Sequence, residues 1–169
     1  DLAMGITTPG PLRDNQGKII QGFKKLKDYK KAMEVMTKSN LVDIMLMSAS
    51  VGESLVEKKI FKSSPVTPAI RMNDTSDIWL MRNSNYRSTN PRPFRSARID
   101  RVSKLVNLGL FSVTFSKNVD FDLAMLNSYR NFRMESLKYK FSHFLEVFNP
   151  PIDIGMNNEE LGDYVNDCI

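Results

Sequence analysis

LGLFSVTFSKN, residues 108–118, is the stretch whose reading decides the fold. Side chains alternate along a strand. Here the alternation sorts Phe111, Val113 and Phe115 to one face and Ser112, Thr114 and Ser116 to the other. A central strand of an open doubly wound sheet is covered by helices on both faces and reads as a continuous apolar run. A strand of a parallel barrel has helices only on its outside, so its inward face can carry hydroxyls. The split therefore predicts a barrel strand with the apolar set outward. The open doubly wound sheet is the alternative.

Runs of the same kind recur on either side: VDIMLMSAS (42–50), SPVTPAIRMND (64–74) and SHFLEVFNP (142–150), with helix-like stretches between them. Alternating strands and helices build a parallel sheet, and a closed barrel needs eight units and about 250 residues. The spacing predicts an α/β fold of parallel (β/α) TIM-barrel units, about five of the eight. This incomplete barrel forms a single partial domain over the 169 residues. Helices are expected over 24–38, 52–61, 98–107, 118–140 and 159–169, with Asn118 or Asp120 capping the fourth and Gly109 just past the end of the third. Residues 4–22 read as a loop with one short strand. Five units leave edge strands and an apolar interior, which predicts a homo-oligomer.

Composition narrows the function. Net charge is +5, from 24 Lys and Arg against 19 Asp and Glu, which permits phosphate or nucleic-acid contact without arguing for either. The lysines of 24–38 read as a solvated helix face. The single cysteine, Cys168, excludes an internal disulfide and fits a reducing compartment. One cysteine and one histidine do not make a zinc site of the usual composition. No cofactor is expected. No apolar run approaches 18 residues and no charged-then-apolar leader opens the chain, so the cytoplasm is expected and a membrane is not.

The polar inward residues carry the chemistry. Alternation in 66–73 turns Thr67, Ala69, Arg71 and Asn73 inward, and in 143–149 it puts Glu146 on the face of Phe144 and Phe148. An interior Arg and an interior Glu are costly unless paired. Both fall near the C-terminal ends of their strands, where barrel enzymes place their chemistry. One reading is a structural pair closing the barrel mouth. The other makes Arg71 the anchor for an anionic substrate and Glu146 an acid/base or positioning carboxylate. Lys117, at a strand end, is the second catalytic candidate, as a Schiff-base amine, although a solvated loop lysine is the favoured reading. Asn73, Asp74, Ser48, Thr114, Ser116, Arg92, Arg95 and Asn149 complete the substrate-binding set. His143 opens its strand on the face opposite Glu146 and reads as packing; Cys168 reads as an inert thiol. The long stretch 74–96 and its continuation place Arg82, Arg87, Arg92, Arg95 and Arg98 among Trp79, Tyr86 and Phe94. That pattern suits a phosphate clamp over a barrel mouth or, next, structural packing, and an RNA-binding surface less well.

At PVTPAIRMNDTSDIW (65–79), RPFRSARIDRV (92–102), LGLFSVTFSKNVDFDLAMLNSYRNFR (108–133) and HFLEVFNP (143–150) the chain resembles bacterial barrel proteins of the class I aldolase superfamily. That broad group includes deoxyribose-phosphate and tagatose-bisphosphate aldolases, and the match is to a poorly characterised branch of it. The resemblance implies a lyase acting on a small-molecule sugar phosphate through a Schiff-base lysine on the sixth strand, with a phosphate site formed by the last two strands. Neither maps onto these residues, so the fragment is expected to be inactive alone. The resemblance makes Glu146 the candidate for moving the proton.

Overall fold

The computed structural model describes residues 11–23, 25–73, 88–90 and 92–169. A two-stranded antiparallel hairpin, β1 (Pro11–Arg13) and β2 (Ile19–Phe23), precedes helix α1 (Leu26–Ser39). Four strand–helix units follow: β3 (Ile44–Met47) with α2 (Ala49–Glu57), β4 (Thr67–Arg71) with α3 (Ile99–Val102), β5 (Leu108–Thr114) with α4 (Val119–Lys138), and β6 (Ser142–Phe148) with α5 (Asn158–Asp167). The four strands form one parallel sheet in the order β3-β4-β5-β6.

This neighbour-to-neighbour order separates the two fold readings. A doubly wound sheet reverses its strand order to put helices on both faces. An unreversed order with right-handed crossovers keeps the helices on one face, as in a barrel. Side chains agree. Phe111 packs on Tyr129 and Phe132 of α4, at ring-centroid distances of 5.2 and 4.7 Å. Ile70 lies so close to α2 that a Cβ on Gly52 would stand 2.1 Å from its Cδ1. The register places Ile70 beside Gly109, on the face of Phe111. The core of Met47, Val51, Leu55, Ile70, Met72, Ile99, Phe111, Val113, Met125 and Phe132 therefore fills the space between sheet and helices. Ser112 and Thr114 point the other way, as the alternation predicts. The fold is a run of parallel TIM-type β/α units, four among the described residues where the run spacing suggests about five.

Local structure departs from the sequence reading in three places. Residues 11–23 form a hairpin rather than a loop with one strand. Asp14 Oδ1 accepts the N–H groups of Gln16 and Lys18, and Gly17 takes a φ of 81°, which closes the turn. The helix expected over 98–107 is a single turn, continued by hydrogen-bonded turns to Val106. Gly109 does not cap it but lies inside β5, between Ile70 and His143. There a Cβ would meet Phe141 Cε1 at 2.5 Å and Met72 Cγ at 2.8 Å, so close packing rather than a turn requires the glycine. Asn118 does cap α4, accepting the Phe121 N–H at 3.2 Å. Leu110, Ser112 and Thr114, on the inner face of β5, are buried. Among the described residues no helix is long and apolar enough to cross a membrane.

His143 sits on the outer face, edge-on to Tyr129 and Phe132 at 5.9 and 5.0 Å, with Nε2 3.3 Å from Tyr129 Oη. Burial, reinforced by the charge of Arg133, holds its pKa below the ordinary 6.5. The unfolded chain therefore takes up this proton at a higher pH than the folded one. Stability should be lost as pH falls through about 6.5 toward the folded value. Urea unfolding at pH 7.5 and 5.5 should show a lower midpoint at the acid pH, and His143→Phe should shrink the difference. Gly109→Ala should lower stability by about 1–3 kcal/mol, the usual penalty for overpacking a core, read from the same titrations at neutral pH.

Candidate functional site

Parallel pairing carries three polar side chains to one place on the inner face. Ser112 lies beside Glu146 in the β5–β6 register, and Arg71, the last residue of β4, lies beside Leu110, two residues before Ser112. Glu146 Oε2 accepts the Ser112 hydroxyl at 2.9 Å and Arg71 Nη1 at 3.4 Å. The two charged side chains are 13% and 31% exposed, Arg71 being the more enclosed. A charge pair so shielded from water interacts more strongly than an exposed one. The cluster sets a carboxylate, a hydroxyl and a guanidinium side by side on the inner face.

Asn73 supports this cluster through the backbone. Its amide carbonyl accepts the Ser112 N–H at 2.7 Å, and its amide nitrogen donates to the Ser112 carbonyl at 2.9 Å. The side chain thereby extends the ladder past the end of β4 and fixes Ser112, with both amide functions engaged. Thr114 follows Ser112 on the same face. It is 2% exposed, and among the described residues its buried Oγ1 has no hydrogen-bond partner. An unpaired buried hydroxyl costs about 1–3 kcal/mol, and such groups recur where a ligand or an ordered water completes the set.

A second polar cluster closes the C-terminal end of β5. Asp122, in the first turn of α4, accepts both the Ser116 N–H and hydroxyl on Oδ1, at 2.8 and 3.0 Å. Its Oδ2 accepts the Tyr164 hydroxyl at 3.3 Å. Tyr164 Oη in turn accepts the Lys117 N–H at 2.9 Å. Burial, above all, pushes the Tyr164 phenol up to about 12, so it stays a neutral donor at physiological pH. Lys117 has a left-handed φ of 57° and an exposed side chain. Its backbone is anchored while its amine faces water.

Ser48 and Asn149 follow the ends of their strands, while Arg92 and Arg95 lie on the helix side of the sheet. Ser48 is exposed at the N-cap position of α2 and makes no capping bond; Asn149 is exposed just after β6. Arg92 lies over the Phe121 ring at 4.6 Å, and Arg95 pairs with Glu135 while lying 5.6 Å from the Phe132 centroid. Phe132 packs on Phe111, on the helix side of the sheet. Both arginines are therefore drawn outward by the aromatic and acidic groups of α4 and do not converge with Arg71 and Glu146. Arg98 is held by both oxygens of Asp100. Asp74, Trp79, Arg82, Tyr86 and Arg87 lie outside the described residues. Sequence reasoning missed Asp122 and Tyr164. Asp122 reads as an ordinary acidic residue in the first turn of a helix, and nothing in the sequence links it to a tyrosine 42 positions later.

No family model matches the chain, and no curated protein matches it. Among solved structures it is similar to a type I 3-dehydroquinate dehydratase from Clostridium difficile, crystallised with covalently modified comenic acid. Identity is 15% and the TM-score 0.41, over 86% of this chain and 63% of that one. The fold assignment rests on strand order and side-chain facing. Thr114→Val should raise the unfolding free energy by about 1 kcal/mol, since it removes an unpaired buried hydroxyl and keeps the side-chain shape. Urea titration of the two proteins checks this.

Proposed function

We propose that this chain supplies the anion-anchoring and proton-handling part of a class I aldolase-like barrel site acting on a sugar phosphate, and that it does not itself form an imine. The observation that carries the reading is the meeting of Arg71, Ser112 and Glu146 near the strand ends of the inner face. Arg71 would bind the phosphate or a substrate carboxyl-like oxygen through its planar fork. Glu146 would move the proton, with Ser112 holding its orientation. The unpaired Thr114 hydroxyl would meet a substrate hydroxyl. The net charge of +5 favours approach of an anion.

A Schiff-base lysine must be neutral to attack a carbonyl, and burial or a cationic neighbour is what makes it so. None of the described lysines is buried, and Lys117 is exposed. This observation also favours a second reading, a non-catalytic barrel that binds sugar phosphates or related anions with the same residues. RNA binding through 82–98 finds less support, because Arg92, Arg95 and Arg98 are engaged within the chain.

Calorimetric titration with dihydroxyacetone phosphate tests the anion site. Binding should weaken by at least about tenfold in Arg71→Lys, which keeps the charge but loses the fork, and should persist in Glu146→Gln. Equal binding by wild type and Arg71→Lys would overturn the assignment. Borohydride treatment followed by mass spectrometry should give no adduct; a stoichiometric adduct on Lys117, absent from Lys117→Ala, would make the chain a Schiff-base enzyme in its own right.

A further inference from the structure

Helix α4 is apolar on two sides. Met125, Phe132 and Ser136 are buried against the sheet, and Tyr129 shares their face. At about 100° per residue, Val119, Leu123, Leu126, Met134 and Leu137 form a second row within an arc of about 80°, centred about 130° from the first. These side chains are 80%, 54%, 44%, 64% and 73% exposed. Arg130 fills the remaining position of the row. The helix flanks are already covered, one by Arg92 on Phe121 and Arg95 on Glu135, the other by Tyr164 on Asp122. The row lies between these flanks and faces away from the sheet. An outward helix face is ordinarily polar, and a continuous apolar strip of this length marks an interaction surface.

We propose that this row is a homodimer interface in which α4 packs antiparallel on the α4 of a second copy. The row is nearly the same read in either direction. About a midpoint near Ser128, Val119 lies opposite Leu137, Leu126 opposite Arg130, and Leu123 within one residue of the position opposite Met134. A two-fold axis there sets each apolar group on its counterpart, as an isologous contact requires. The stem of Arg130 covers Leu126 of the second copy while its charged end reaches the rim.

Charge points to the same partner. Asp120 in the first turn and Lys138 in the last lie on one side of the row. The two-fold brings Asp120 of one copy beside Lys138 of the other, at both ends of the contact. Parallel packing would instead place the two Asp120 at one end, on opposite edges of the contact, and leave neither beside a Lys138. The helix dipoles also run head to tail in the antiparallel arrangement.

A contact of one helix pair is small for a protein interface, so a dimer in the micromolar range is expected. Sedimentation velocity on the intact chain should show a dimer fraction that rises with concentration across that range. Leu126→Glu combined with Leu137→Glu should be monomeric throughout, with an unchanged circular dichroism spectrum, since both positions are solvent-facing in the monomer. Asp120→Lys should weaken dimerisation by at least about tenfold, the scale of a reversed charge pair at each end. Asp120→Lys with Lys138→Asp should restore it. A wild-type chain monomeric over the whole range overturns the proposal, as does a dimer indifferent to the glutamate pair. Failure of the double reversal to restore dimerisation overturns the antiparallel arrangement.

Discussion

A half-buried ion pair is the constraint around which the inner face is organised. Glu146 cannot be enclosed on the sheet without partners. Arg71 and Ser112 reach it from the adjoining strands, and Asn73 holds Ser112 in turn. Each of these residues depends on the β4-β5-β6 register. A slip of one residue would exchange the two faces of a strand, sending Glu146 under the helices and leaving Phe111 without α4. The charge cluster and the aromatic core thus specify the same register from opposite sides of the sheet.

Much of this was legible in the sequence because alternation is a local signal. SVTFS is enough to tell which side chains of β5 turn toward the helices, and the facing of Arg71 and Glu146 follows from the same rule. The apolar periodicity of 119–138 and the cap at Asn118 are equally local. Positions decided by distant partners were not legible. Gly109 looks like a helix terminator beside a polar turn, yet Phe141 and Met72 are what leave no room for a side chain there. Arg92 and Arg95 look like a clamp because guanidinium suits phosphate. It suits an aromatic face and a carboxylate as well, and α4 offers both. The Asn73 amide reads as a ligand for substrate and is engaged by the sheet itself.

The two polar clusters differ in character. On the inner face, Arg71, Ser112 and Glu146 come together, and the buried Thr114 hydroxyl on the same face has no hydrogen-bond partner among the described residues. At the end of β5, by contrast, Ser116, Asp122, Tyr164 and the Lys117 backbone satisfy one another. That second cluster ties α5 to the start of α4 and works as a clasp between successive units.

The unreversed strand order bears on how the molecule is made. Each of β4, β5 and β6 pairs with the strand immediately before it, so each of the three meets a partner that is already synthesised. The sheet can grow from its first strand as the chain leaves the ribosome, each new unit docking on a finished template. A reversed order would hold early strands open until later ones arrived, with their unpaired edges free to join other chains. The topology thus permits assembly in step with translation.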